Sequence, residues 1–289
     1  MLRRYLFGTL ILLSVATAPA YAQVKLEWKF KEGEQFTLEA VMSSKEKALY
    51  LAKEQKMDLT LVFLFNFKVL RKFSDVTNLE LRIESIRAER ADVASLNQLL
   101  EEFRGSKFRV TLSSKMQLQR FEGYLQVIDG IAKGDAVARA RIMENFPEEN
   151  LKTLVTETFG ALPDKPISVN TKWGGKFSIP LGSFGSLSGT TDYTYLGPVD
   201  DKEKIGVEAR VTGYTPPKRG TEVAPVKGES PKAENVKGAI FFDRVNGKLS
   251  SSEVSMTIKG VFRVPGPMGQ ETTAEMSQER SIRLKMVKK

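Results

Sequence analysis

Cysteine and histidine are both absent from this chain of 289 residues. The lack of cysteine excludes disulfides, thiol chemistry and a lipid anchor attached to cysteine. The lack of histidine excludes Ser-His-Asp and Cys-His nucleophile arrangements, histidine-based zinc sites and the usual general base at neutral pH. Catalysis by carboxylates or lysine stays open, but it would need a pair of such groups converging in a cleft.

Cofactor and nucleic-acid motifs are also missing. The chain has no GxxxxGKS/T, GxGxxG, HExxH or GxSxG sequence. Its 44 basic residues outnumber 35 acidic ones, but they are scattered, and no basic stripe is interleaved with stacking aromatics. We therefore predict no nucleic-acid partner, no metal and no cofactor. The basic balance would suit attraction to anionic lipid or polysaccharide; the alternative is a solvated surface of mixed charge.

The one long apolar run near the N-terminus has the pattern of a secretory signal peptide. Arg3 and Arg4 precede an apolar stretch over 5–15, and Ala20-Tyr21-Ala22 supplies an A-x-A cleavage site. The alternative is a membrane anchor, but the stretch is shorter than the roughly 20 residues that a spanning helix needs. We expect cleavage after residue 22, export to the periplasm or the medium, and no transmembrane segment afterwards.

The remaining sequence reads mainly as long antiparallel strands. Alternating apolar residues over 25–31 and 35–42, around Gly33, predict a β-hairpin. Further alternation over 53–70 and 75–86, joined by short turns, favours an antiparallel meander because parallel strands need longer crossovers.

Helical periodicity occurs in two places, near 92–104 and over 123–160, and strands return after Pro163. Residues 215–236 lack periodicity and carry four prolines, which predicts a flexible loop. Asn246-Gly247 predicts a hairpin turn, with Asp243 bonding to it. We expect residues 23–289 to form one domain.

The stretch 58–70, DLTLVFLFNFKVL, is apolar on both faces in its middle. Two interpretations are open for the aromatic and aliphatic residues on and near it: core packing, or the wall of a cavity for an apolar ligand. The candidate cavity-lining residues are Trp28, Phe30, Leu61, Phe63, Phe65 and Phe67. No catalytic residue is predicted. The adjacent carboxylates Glu101-Glu102 and Glu148-Glu149 lie on predicted helices, where neighbouring side chains point about 100° apart.

Four stretches resemble one family of secreted proteins of unknown function, domain-of-unknown-function family 6263, which is frequent in planctomycete-type bacteria. They are LEWKFKEGEQF, RFEGYLQVID, ALPDKPISVNTKW and KGAIFFDRVNGKLSSSEV. The sequence departs from the family pattern at Asn170, where Gly-Asp is expected before the tryptophan; Asn can adopt the same turn conformation. The resemblance implies no known activity.

The order of elements is similar to that of LolA-like periplasmic lipoprotein carriers, which are unclosed barrels covered by helices. That similarity implies an α+β fold: a strongly bent antiparallel sheet, an unclosed barrel of about ten strands, with helices on the concave face. We expect a non-catalytic exported cell-envelope protein that binds a lipid or another apolar small molecule between sheet and helices. The alternative is a structural or interaction module with a fully packed core, acting through its surface or the 215–236 loop on a protein partner that the sequence does not identify.

Overall fold

The computed structural model describes residues 23–51, 53–89, 94–181, 185–216, 224–225, 231–265 and 270–287. The predicted signal peptide, 1–22, lies outside these residues, as does most of the predicted loop at 215–236. The strands are β1 Gln35–Tyr50, β2 Lys53–Lys72, β3 Val76–Ala88, β4 Lys107–Ser113, β5 Leu118–Glu122, β6 Lys172–Pro180, β7 Ser186–Val199, β8 Lys202–Thr215, β9 Ala224–Pro225, β10 Lys232–Asp243, β11 Lys248–Pro265 and β12 Glu271–Val287. The helices are α1 Ala94–Glu101, α2 Tyr124–Ala132, α3 Ala136–Asn145 and α4 Glu148–Phe159.

All twelve strands belong to one sheet, and every described pairing is antiparallel. The order is β5-β4-β3-β2-β1-β12-β11-β10-β8-β7-β6, with the short β9 pairing with β11. The first and last long strands, β1 and β12, are therefore neighbours in the middle of the sheet. This confirms the predicted antiparallel sheet, whose two edges, β5 and β6, do not pair with each other in the described part of the chain.

The sheet curves enough to bring its two edges to the same helix. A flat sheet of eleven strands would be about 48 Å wide at the usual strand spacing of about 4.8 Å. Helix α4 has 12 residues, so it is only about 18 Å long. It nevertheless contacts both edge strands, β5 and β6, so the two edges lie closer together than they would in a flat sheet.

The first predicted hairpin is wrong in its first half. Residues 25–31 alternate as expected, with Leu26, Trp28 and Phe30 buried, but they form no strand. The N-terminal segment, residues 23–34, instead crosses several elements: it bonds to Ile167 through Val24 and to Gly247 through the amide of Lys29. Alternation reports that one side of an extended segment is buried, and here the burial comes from packing across strand ends rather than from a ladder.

The hairpin turn after β10 is confirmed, and its glycine is required by geometry. Gly247 has φ +61°, and a Cβ there would lie 2.6 Å from the backbone nitrogen of Lys29. Asp243 bonds to the turn as predicted, because it accepts hydrogen bonds from the amide and the side chain of Asn246 at 2.9 and 2.8 Å. Asn170 also adopts the expected left-handed turn conformation, with φ +67°.

The predicted loop at 215–236 is wrong at its C-terminal end, since β10 begins at Lys232. The register of β10 against β11 shifts between Glu234 and Lys237, and Asn235 has a positive φ. Such a bulge interrupts the alternation of faces, so the periodicity that marks a strand is lost there. None of the helices in the described residues is both long and apolar enough to cross a bilayer.

Candidate ligand-binding cavity

The aromatic side chains predicted to line a cavity are packed in the main hydrophobic cluster. Residues that face one another across β1 and β2 include Leu38 with Phe65 and Phe36 with Phe67. Phe65 and Phe67 are fully buried, and Phe63 retains only 5% of its exposed area. These strands therefore turn their bulkiest side chains to the same side of the sheet.

Helix side chains touch this aromatic face directly. Phe159, at the end of α4, has its ring centroid 5.3 Å from that of Phe67 and 5.0 Å from that of Trp28. Phe146, which follows α3, lies 6.3 Å from Phe63. These separations are those of interacting aromatic pairs, so the rings fill the space between this half of the sheet and the helices.

The opposite face of β2 is covered differently. Val62 is buried but belongs to neither hydrophobic cluster, and its neighbours across the sheet are Val41 and Arg87. Side chains of directly opposed residues share a face, and the long stem of arginine covers apolar surface. Thr37 and Asn66, on the same face, share a hydrogen bond.

Of the six predicted site residues, five are buried in the main cluster and Leu61 packs against it half-buried. The structure brings them together around α3 and α4. None of the six lines the cavity of about 1380 Å³ that lies elsewhere in the described residues. Contact of a ligand with any of them stays a prediction.

A large cavity lies in the other half of the sheet. Its volume is about 1380 Å³, and it extends between α4, the residues that follow α4, and the strands from β6 to β12. Its apolar wall comes mainly from inward-facing side chains, which are Trp173, Phe177, Ile179, Val207, Ala209, Val236, Ile240, Val254, Met256, Ile282 and Leu284. The cavity separates the main cluster, which contributes Val207 and Ile240, from a second cluster, which contributes Ile179 and Met256.

The sizes of the inward-facing side chains explain where the cavity forms. On β2 the corresponding positions hold phenylalanines, whereas the strands around the cavity place Gly175, Thr191, Ala209 and Ser252 on their inner face. Small side chains on a curved sheet leave volume that no neighbouring element fills. The sequence signal was therefore the run of small inward residues after residue 170, and the prediction gave weight to the aromatic strand instead.

Both tryptophans of the chain fasten the end of α4. The indole of Trp28 donates to the carbonyl of Phe159 at 3.2 Å, and that of Trp173 donates to the carbonyl of Ala161 at 3.0 Å. The last carbonyls of a helix have no partner within the helix. The indole of Trp28 satisfies the carbonyl of Phe159, the last residue of α4, and that of Trp173 satisfies a carbonyl two residues beyond the helix. Together they fix this end of α4 between the packed half and the cavity.

One of the three carboxylates that line the cavity, Glu157, differs from the others in having no basic partner among the described residues. Glu157 projects from α4 between Thr153 and Ala161, which also line the cavity. Within the described residues, no group forms an ion pair with it or donates a hydrogen bond to it. Burial raises the pKa of Glu157 from 4.5 to about 7. Its side chain keeps some exposed area, and that area faces the cavity.

An aromatic pair lies beside this carboxylate. Trp173 and Tyr193 are stacked with ring centroids 5.6 Å apart and planes at 22°. Burial, followed by the charge of Glu157, raises the pKa of Tyr193 to about 12. Tyr193 therefore keeps its proton over the physiological range, and Glu157 is close enough to act on it electrostatically.

The other charged groups that line the cavity are paired with one another or exposed. Lys115 pairs with Asp164 at 2.6 Å, and Lys152 pairs with Glu149 at 3.0 Å. Lysines at 165, 172 and 176 are exposed. No cluster of three or more potential metal ligands occurs among residues that the structure describes.

Comparisons with known proteins identify a family but no activity. The sequence profile of the family of unknown function DUF6263 matches residues 69–259. No curated protein matches this chain. The similar solved structures include lipovitellin, in a study of its lipid–protein interactions, at 10% identity and a TM-score of 0.48, covering 90% of this chain and 26% of that one. The chain thus spans about a quarter of the lipovitellin chain.

Two bacterial structures are similar at lower scores. A putative outer membrane lipoprotein-sorting protein domain from Vibrio parahaemolyticus is 8% identical, with a TM-score of 0.13, covering 86% of this chain and 85% of that one. A DUF1329 family protein from Desulfovibrio piger is 8% identical, with a TM-score of 0.16 and coverage of 84% and 83%. All three TM-scores are below 0.5, so the function has to be argued from the geometry of this chain.

Proposed function

We propose a function for this chain from its geometry, because it belongs to the DUF6263 family, whose description assigns no function. The protein is a non-catalytic exported protein of the cell envelope. It binds a lipid or another apolar ligand in the cavity between α4 and strands β6 to β12. The observation that carries this proposal is the cavity of about 1380 Å³ with its apolar wall. Ligand pockets are usually ~300–1,000 Å³ and mostly apolar, so there is room for a long chain.

The proposal also places the helices on the concave face of the bent sheet. Contact of α4 with both edge strands supports that placement. The helix then has two roles: its end packs on the aromatic half through Phe159, and the side that carries Glu157 covers the cavity. Residues 23–289 form one domain, which is supported by the pairing of β1 with β12.

The proposal of a non-catalytic role is supported by the cavity's carboxylates. A glycosidase of the usual kind needs two acids flanking the glycosidic bond, at most about 9.5 Å apart. Glu149 and Glu157 are eight residues apart on α4, which separates them by about 12 Å along the axis. Asp164 is held by Lys115. Glu149 is therefore too far along the helix to form such a pair with Glu157, which supports a non-catalytic role.

Export rests on the predicted signal peptide, 1–22. A ligand-binding protein without cysteine would need no disulfide formation after export. The alternative role, an interaction module acting through its surface or the 215–236 loop, was expected to have a fully packed core. A cavity of about 1380 Å³ does not fit a fully packed core, so ligand binding is favoured over that alternative.

Native mass spectrometry with lipid extraction of the purified protein tests the proposal. We expect an apolar ligand to be recovered, and a fluorescent apolar probe to bind once that ligand is removed. Ala209→Trp should reduce probe binding at least about tenfold, because Ala209 lies on the inner face of β8 and the indole would occupy the cavity.

The matched control is Glu208→Trp, which places the same side chain on the exposed outer face of β8. It should bind the probe as the parent does. Equal binding by both variants, or a protein that neither carries nor takes up apolar molecules, would refute the proposed function.

A further inference from the structure

Burial of the unpaired Glu157 carboxylate costs free energy, and a cavity that binds only an apolar chain does not require it. An ionised carboxylate in an apolar region is unfavourable unless it is paired. The other acids at the cavity have lysine partners, Lys115 for Asp164 and Lys152 for Glu149. Glu157 has none among the described residues, and its side chain faces the cavity. A ligand that carries a positive charge would supply the missing partner.

The stacked rings of Trp173 and Tyr193, next to Glu157, also favour a positively charged ligand. The indole N–H of Trp173 is occupied by the carbonyl of Ala161, so its ring face, rather than its N–H group, is what it can offer. Faces of tryptophan and tyrosine attract cations, and a carboxylate with aromatic rings is a common surrounding for ammonium groups.

The end of α4 adds to the negative potential. Glu157 lies in the last turn of this helix, where the backbone dipole places partial negative charge. That turn carries no basic residue. Glu157, the ring faces and the helix end therefore favour a positively charged group at this point of the cavity. The five lysines that also line the cavity are paired with other acids or exposed.

We propose that Glu157, Trp173 and Tyr193 bind the ammonium group of an amphiphile whose apolar chain lies along the cavity. This inference rests on the proposed function, since it names the ligand class for the same cavity. The shared chemistry is an alkyl or acyl chain with an ammonium, found either in a free long-chain amine or in a lipid headgroup.

The test compares dodecyl chains that differ in the charge of the head. Dodecyltrimethylammonium, dodecanol and dodecanoate are titrated calorimetrically into the ligand-free protein, below their micelle concentrations. A desolvated cation–π contact contributes up to about 2 kcal/mol, and the unpaired carboxylate adds Coulomb attraction, so the ammonium should bind about tenfold or more tightly than the alcohol. Dodecanoate should bind most weakly. Lysophosphatidylcholine distinguishes the two sources of the ammonium group. If it binds as tightly as the alkylammonium, the ligand is a lipid with an ammonium headgroup. If it binds more weakly, the ligand is a free long-chain amine.

Glu157→Gln should reduce the preference for the ammonium to the roughly threefold that the ring faces supply and leave dodecanol binding unchanged. Glu148→Gln is the control: it removes one negative charge from the same helix at a carboxylate that pairs with Lys152 and does not line the cavity. Trp173→Leu keeps an apolar wall without the ring face, and it should weaken ammonium binding by about threefold.

Binding of the quaternary ammonium should also weaken as pH falls from 8 to 5 in the parent protein and not in Glu157→Gln. The ligand itself does not titrate. The other ionisable groups around the cavity are Lys115, Glu149, Lys152, Asp164, Lys165, Lys172, Lys176 and Tyr193, and all remain in Glu157→Gln, so the difference between the two proteins reports Glu157.

The outcomes separate the two proposals. Equal affinity for the ammonium and the alcohol, or preference for dodecanoate, overturns the charge preference and leaves apolar binding in place. Failure of all dodecyl ligands to bind overturns both. A preference as large in Glu157→Gln as in the parent also overturns the assignment to this carboxylate.

Discussion

Removing the ring of Phe159 should destabilise the protein more than any comparable change on the surface. Phe159 is fully buried, and its ring meets four other aromatic side chains with centroid distances of 5.0 Å to Trp28, 5.3 Å to Phe67, 6.1 Å to Phe30 and 6.4 Å to Phe36. It is therefore the point at which α4, the N-terminal segment and the first strands join.

The expected magnitude follows from the burial and the contacts. Replacing a buried phenylalanine by alanine costs about 3–5 kcal/mol, including the cavity left behind. Each aromatic pair contributes about 0.5–1.5 kcal/mol beyond its buried area, and such values do not add for neighbours, so we place Phe159→Ala in that range. For a chain of this size the midpoint of thermal unfolding should fall by about 6–20 °C. The carbonyl that accepts from Trp28 belongs to the backbone and is kept, so the loss reports the ring.

Urea denaturation followed by circular dichroism measures the change. Phe73→Ala is the control, because Phe73 is 52% exposed and should cost no more than about 0.5 kcal/mol. Similar losses for the two variants would refute the role of Phe159 as the junction of the aromatic cluster.

Two further predictions concern a charge and a turn. Burial raises the pKa of Glu157 from 4.5 to about 7, so its ionised form disfavours the folded state as pH rises above the unfolded value. Glu157→Gln should raise the free energy of unfolding in urea by about 1–3 kcal/mol at pH 8 and little at pH 4; a gain independent of pH, or one shared by Glu148→Gln, contradicts this. Gly247→Ala should lower the melting temperature more than Gly33→Ala, because both have positive φ but only Gly247 lies against Lys29; equal losses would contradict that close approach.

The antiparallel meander was predictable because the alternation that indicates each strand lies within a short stretch of sequence. In β2 and β3 apolar residues alternate over long runs, and the alternation directly reflects burial of one face. The turn at Asn246-Gly247 was also predictable, since a positive φ is required there and few residues adopt it. These features depend on neighbours in sequence.

The N-terminal segment shows what alternation leaves open. Trp28 and Phe30 are buried as a strand residue would be, yet the backbone around them bonds to Ile167 and Gly247 in distant parts of the chain. Periodicity states which side chains are covered and does not state what covers them. The hairpin expected at this place therefore could not be distinguished from a crossing segment.

The position of the cavity depends on volume summed over many strands. Phe63 and Ala209 occupy equivalent inward positions on different strands, but one fills the space before it and the other leaves it open. Which strands face the helices is decided by the curvature of the whole sheet and by the contact of α4 with both edges. Glu157 was missed because its helix was judged by its apolar residues alone.

The central claim is that an apolar ligand occupies the cavity beside Trp173, and the two tryptophans allow a direct test. Trp173 lines the cavity, whereas Trp28 is 5% exposed in the packed cluster and does not line it. A chain brominated near its middle quenches tryptophan fluorescence on contact. We predict saturable quenching in Trp28→Phe, where Trp173 remains, and none in Trp173→Phe, where Trp28 remains. Equal quenching in both variants, or none in either, would contradict the account.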